Sequence, residues 1–320
     1  MSGPHAHRHE ALSFNPPGHP PAHAASLMRT ATYVAVSVAL LLIGIKLAAW
    51  LLTGSVSMLS SMVDSLMDVL ASGINLLAVR HALTPADTEH RFGHSKIEPL
   101  ASLGQAAFIA GSGLFIVIEA VQRLFRPEPI ESGTLGIAVM VVSTVLTAGL
   151  VLYQRHVVRR TGSTAVKADS LHYASDVLVN AGVIIAFVLA ITLEWHRADA
   201  IIAIVISAII FYSATQIARE ALDHLMDREL PEADRTRIET IARQDERVLD
   251  VHDLRTRAAG LRAFIQLHLE LPREMSLIEA HEVCDAVELA LRAAFPNAEV
   301  IIHADPEGVT EERVSFAGSP

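Results

Sequence analysis

The chain has 320 residues with 25 Lys and Arg against 35 Asp and Glu, a formal net charge of -10 with histidine neutral, and a mean hydropathy of +0.39. This acidic balance disfavours nucleic acid as a partner. Cys284 is the single cysteine, which excludes a disulfide framework or a thiolate zinc finger within one chain and leaves nitrogen and oxygen as the ligands for any bound metal.

Residues 1–26 are rich in Pro, His and Ala and lack an apolar core, so they read as a disordered tail and not a signal peptide. We take 1–28 as this tail. His5, His7, His9, His19 and His23 offer loose metal binding there, although a solvated low-complexity tail has the same composition.

Six apolar segments follow, at about 31–52, 56–82, 98–122, 133–154, 168–193 and 198–216, each near the roughly 20 residues that a helix needs to cross a bilayer. Thr53-Gly54-Ser55, Arg126-Pro127-Glu128-Pro129 and Glu194-Trp195-His196-Arg197 mark turns at one set of ends, and the longer loops 83–97 and 155–167 mark the other. Arg29, Arg80, Arg91, Lys96, Arg155, Arg159, Arg160, Lys167, Arg219 and Arg228 gather on the side of the longer loops, against Arg123, Arg126 and Arg197 opposite. The positive-inside rule then places both termini in the cytoplasm.

The last third changes character. It predicts helix 231–243, strands 248–258 and 261–270, helix 276–295 and strand 298–304, a small α+β domain. Alternation from Phe264 to Leu271 marks a half-buried strand, with Gly260 at a hairpin turn. The expected organisation is a six-helix transmembrane domain over 29–220, a cytoplasmic domain over 221–306 and a flexible tail over 307–320.

Four ionisable residues interrupt the apolar spans. Asp64 and Asp68 lie in the second, His172 and Asp176 in the fifth, each pair at i and i+4 and so on one helix face. An Asp at a membrane-helix centre costs on the order of 3 kcal/mol on insertion scales, so such groups mark function unless they tie helices together. Three carboxylates and an imidazole at matched spacing suit one metal ion. The polar faces extend through Ser57, Ser61, Ser72 and Asn75 in one span and Asp169 and Asn180 in the other, while Gly73, Ala174, Ala181 and Gly182 permit close packing. Asp68-Val69-Leu70 and Asp176-Val177-Leu178 repeat one another in spans expected to run oppositely, which hints at an inverted repeat with its site near the midplane.

Two further clusters stand outside the spans. Asp87, His90 and His94 in the loop form an open zinc-type set, against the alternative of exposed loop histidines. His252, His268, His281, His303 and Asp305 come from different elements of the last domain, either as a metal centre or as separate surface residues.

Asp64-Ser65-Leu66-Met67-Asp68, His172-Tyr173-Ala174-Ser175-Asp176, Phe92-Gly93-His94-Ser95-Lys96, Val251-His252-Asp253-Leu254-Arg255-Thr256 and Ile301-Ile302-His303-Ala304-Asp305 together resemble the cation diffusion facilitator family. The likeness covers residues 30–305 and is closest to the bacterial ferrous-iron and zinc efflux branch. It implies a tetrahedral transport site at Asp64, Asp68, His172 and Asp176, and a second site at Asp87, His90 and His94. It also implies a metallochaperone-like, ferredoxin-like domain that pairs in a homodimer, with a binuclear centre at His252, His268, His281, His303 and Asp305. Lys96 and Asp227 correspond to an interlock between protomers, with Asp223 close by in the same run.

The activity so implied is export of Zn2+, or of Fe2+, Cd2+ or Co2+, in exchange for protons. A histidine at position 172 favours such borderline ions over magnesium or calcium. A membrane metalloenzyme is disfavoured, because His281-Glu282 is not followed by the second His of a His-Glu-x-x-His helix. A membrane-embedded metal sensor or scaffold remains the alternative.

Overall fold

The computed structural model describes residues 22–54, 56–125, 134–193 and 198–309. Six long helices come first: α1 Ala22–Thr53, α2 Val56–Ala82, α3 Ile97–Phe125, α4 Thr134–Thr161, α5 Thr164–Leu193 and α6 Ala198–Leu225. Stretches within α1, α2, α3, α4 and α6 are long and apolar enough to cross a membrane. The fifth helix is as long but carries Lys167, Asp169, His172 and Asp176. It touches every other long helix, which explains how a helix with that much charge is accommodated. Asp169, Ser170 and His172 are buried against protein, while Leu51, Phe115, Val145 and Leu152 on other helices expose apolar surface to the surroundings.

Several helices overrun the apolar segments at their ends. The first begins at Ala22, inside the stretch expected to be tail. Ala25, Met28 and Ala31 are buried against Val79, Leu83, Val157, Ala165 and Val166, so packing against three other helices orders this stretch. His5, His7, His9 and His19 lie outside the described residues, as do Ser55, Arg126 to Pro129, Glu194 to Arg197, the end of the tail beyond residue 309 and the Ser57 side chain. His23 falls within α1.

Gly182 is where α5 and α6 approach most tightly among the helix glycines: a Cβ there would lie 2.2 Å from Ile206 Cδ1 and 3.1 Å from Ile202 Cγ2. At one end of the bundle Ser163 Oγ donates to the buried Glu98 carboxylate, tying the start of α5 to the start of α3.

The C-terminal domain follows as α7 Glu232–Ala242, β1 Asp250–Ala259, β2 Arg262–Leu271, α8 Leu277–Ala294 and β3 Ala298–Pro306, element for element as its pattern predicts. The sheet order is β1-β2-β3, with β2 antiparallel to β1 and parallel to β3. Alternation sends Ile265, Leu267, Leu269 and Leu271 into a core with Ile238, Val283, Val287, Leu291 and Val300. Gln266, His268 and Glu270 take the opposite face. The helix α8 starts in a capping box, in which Ser276 and Glu279 each satisfy the other's backbone N–H.

The β1–β2 hairpin turns at Gly260, whose φ of +60° suits glycine and whose missing Cβ leaves room for Ser95, 2.9 Å from where that atom would sit. The hairpin thereby rests on the loop before α3. Arg257 stacks over Phe264 at 4.0 Å and over Phe92 at 5.6 Å, so a loop aromatic and a strand aromatic share one guanidinium.

Candidate metal centres

The i, i+4 spacing sets Asp68 on α2 and His172 and Asp176 on α5 where the two helices meet, and the ligand atoms of these three lie within 4.8 Å of one another. His172 Nε2 is 3.1 Å from Asp68 Oδ1 and 4.0 Å from Asp176 Oδ2. His172 is buried and the two carboxylates are partly accessible. One imidazole nitrogen and two partly accessible carboxylates thus come together at a common point.

Asp64 is not in this group. It lies one turn along α2, about 6 Å along the axis from Asp68, and its side chain is exposed. Spacing put the two aspartates on one face, but a shared face does not fix a shared reach.

Behind the trio a buried polar network braces α5. Asp169 Oδ2 accepts from Gln154 Nε2 at 2.6 Å, its other oxygen from Ser72 Oγ at 3.4 Å, and Ser72 Oγ lies 2.7 Å from the Tyr173 hydroxyl. Asp169, Ser72 and Tyr173 are all essentially inaccessible. The polar stripe had flagged Asp169 and Ser72, but Gln154 on α4 was not singled out. Lys46 on α1 also escaped notice: its ammonium donates to Ser65 Oγ at 2.6 Å and to the Ser61 carbonyl at 3.2 Å.

The loop trio also converges, with the ligand atoms of Asp87, His90 and His94 within 4.8 Å. Asp87 Oδ1 accepts from the backbone N–H groups of His90 and Glu89 at 2.6 and 2.9 Å. These bonds, that to His90 first, hold the Asp87 carboxyl below the usual carboxylate range. A candidate ligand carboxylate is thus held in place and favoured in its ionised form by the turn itself. His94 Nε2 is 3.4 Å from Asp87 Oδ2, its buried Nδ1 has no partner among the described residues, and the His81 ring stands edge-on 4.7 Å away. Nothing in the sequence pattern had pointed to His81.

The third centre comes from strand register. His252 pairs with His268, and His268 with His303, so adjacent strands carry a histidine at one level. Asp305 is two residues on from His303 and shares its face. Asp305 Oδ2 lies 2.8 Å from His268 Nδ1 and 3.3 Å from His252 Nε2, and Oδ1 lies 3.1 Å from His303 Nε2. Asp250 and Glu270 also converge on His252. His281 is not brought in: it is exposed on α8, with Asp285 Oδ1 3.6 Å away.

Lys96 and Asp227 meet at 3.0 Å within the chain. Asp227 follows α6 in a left-handed turn, φ 57°, and the turn swings its carboxylate to Lys96 beside the start of α3 and to Arg257 at 3.3 Å. Asp223 is taken instead by Arg228.

Residues 32–226 match the family described as the cation efflux transmembrane domain, and residues 230–307 match the cytoplasmic domain of cation efflux proteins. The cation-efflux pump FieF of Shewanella oneidensis is 50% identical over 279 residues, 87% of this chain and 94% of that one. FieF of Klebsiella pneumoniae is 47% identical over 283 residues, 88% and 94% of the two chains. Among solved structures, the zinc form of CzrB is 40% identical over 27% of this chain and 99% of its own, with a TM-score of 0.25.

Proposed function

The chain belongs to the cation diffusion facilitator family, and from that premise we propose that its Asp68–His172–Asp176 pocket is the transport site of a zinc-preferring, proton-coupled exporter. Divalent metal efflux is the activity of the family and of this protein. The single observation that carries the site assignment is the convergence of three ligand-type side chains from two helices of the transmembrane bundle.

In the cytoplasm-facing state a divalent ion takes His172 Nε2 and the carboxylates of Asp68 and Asp176. Asp64 completes four-coordination from the adjacent turn of α2 as the helices close. The imidazole favours zinc, ferrous iron, cadmium or cobalt over hard, all-oxygen ions. Each ligand binds metal only when deprotonated, so metal and proton compete for one set of atoms. Exposure of the loaded site to the far side, followed by protonation, ejects the metal; return of the protonated site brings protons inward. The inward proton gradient thereby drives export.

We place the protein in the inner membrane with both termini cytoplasmic, as a homodimer. His281 reaches a histidine centre if a second protomer presents it. Metal at the loop and at the His252, His268, His303 and Asp305 centre favours one arrangement of the domains by differential affinity.

The experiment is a proton readout. Vesicles carrying the intact protein and an internal pH dye should show proton movement opposite to added zinc. A membrane-embedded sensor or scaffold would bind zinc with no pH change and no net flux, and that result would overturn the assignment.

A further inference from the structure

Lys46 is the only charged side chain between Thr30 and Gly54, in a helix whose neighbours at that depth are Leu, Ile, Ala and Trp. Its ammonium reaches across to α2 and is held by Ser65 Oγ at 2.6 Å and the Ser61 carbonyl at 3.2 Å. Ser61 and Ser65 flank Asp64, and Ser65 lies three residues before Asp68. Asp68, Asp64 and Asp176, the three carboxylates of the proposed transport set, attract the ammonium. A membrane lysine without a purpose is as costly as an aspartate, and here it is anchored by two hydrogen bonds beside the acidic pocket.

We propose that Lys46 is the fixed counter-charge of the transport site and sets its charge selectivity; the proposal rests on the reading of Asp64, Asp68, His172 and Asp176 as that site. Three carboxylates with a neutral imidazole and one divalent ion leave a single negative charge, which the ammonium cancels. A monovalent ion leaves the site undercharged and a trivalent ion overcharges it, each in a medium that screens poorly. The bonds to Ser65 and Ser61 hold the ammonium on α2, so it balances the site as a fixed neighbour and not as a ligand. The loaded site is then neutral enough to move and weak enough to let its ion go.

The test is zinc transport kinetics of the full chain in proteoliposomes for Lys46→Gln, Lys46→Met and Lys46→Arg, with Asp176→Ala beside them. Glutamine keeps a hydrogen-bond donor for Ser65 and Ser61 while removing the charge, and methionine is the second neutral variant should glutamine not fold. With the charge gone, KM for zinc should fall by about tenfold and kcat by about as much, because the over-negative site holds its ion. Lys46→Arg should return both to within about twofold of the intact protein. An unchanged or raised KM in both neutral variants, or a failure of arginine to restore it, overturns the proposal while Asp176→Ala stays inactive. Flux persisting in Asp176→Ala would overturn the transport-site reading and this proposal with it.

Discussion

His172 Nε2 lies 3.1 Å from Asp68 Oδ1, and this contact joins α5 to α2 at the one place where an imidazole and a carboxylate meet inside the helix bundle among the described residues. It defines the face on which a metal would sit. His172→Asp keeps a ligand but changes nitrogen to oxygen, so it should shift preference from zinc toward harder ions such as manganese. Competition of manganese against zinc in a flux assay should improve by at least about tenfold. An unaltered preference would mean that position 172 does not contact the transported ion.

The loop centre is prepared by backbone. Two N–H groups hold the Asp87 carboxyl below its ordinary range, so this carboxylate stays charged in mildly acidic solution. Native interactions that depend on it are present above the usual carboxylate range and are lost only as pH falls through the lowered value. Asp87→Asn should remove one bound zinc equivalent, counted by calorimetric titration against the intact protein, without unfolding the chain.

Phe92 is exposed on one side and on the other meets Phe264, centroids 6.0 Å apart, and Arg257. Phe92→Ala should weaken the docking of the loop on the C-terminal domain by about 1–2 kcal/mol, the sum of an aromatic pair and a cation–π contact. Faster amide exchange at residues 86–96 and at the β1–β2 hairpin, with the membrane helices unchanged, is the expected result.

Ser276 begins α8 by capping Glu279 N–H while Glu279 returns the bond. Ser276→Ala should cost about 1 kcal/mol in the C-terminal domain. The Ser276 hydroxyl and backbone hold the Glu279 carboxyl below its usual value. The capping box therefore stabilises above the ordinary glutamate range and fades as pH falls through the lowered value. Thermal unfolding near pH 7 should separate the two proteins more widely than unfolding in acid.

Gly182→Val should separate α5 from α6, since even the first added carbon meets Ile206 Cδ1. Overpacking of this kind costs typically about 1–3 kcal/mol. Ile206→Ala in the same chain should recover much of the loss, measured as monodisperse yield and melting temperature in detergent.

The helices, the strands and most members of each candidate ligand cluster were legible because hydropathy and period carry them locally. Asp68, His172 and Asp176 stood out as charges in apolar runs, and the alternation around His268 placed it on the open face of its strand. What escaped depended on how elements dock. Asp64 shares a helix face with Asp68 and His281 is the one candidate ligand on α8, and whether such a side chain reaches a common point is set by how elements approach. Lys46 and Gln154 sit on helices other than those that carry the groups they border, and His81 closes α2 just before the loop set, where period and hydropathy do not mark it. The Lys96–Asp227 pair was legible as a pair, but its closure within one chain depends on the left-handed turn at Asp227.

The most direct test of the central claim is zinc flux into proteoliposomes under an imposed pH gradient, comparing the intact protein with Asp68→Ala and Asp176→Ala after both are shown to fold. The pocket between α2 and α5 predicts gradient-dependent flux in the intact protein and a loss of about a hundredfold or more in each variant, consistent with removal of a metal ligand. Flux that survives in either folded variant, or that ignores the gradient in the intact protein, would contradict it.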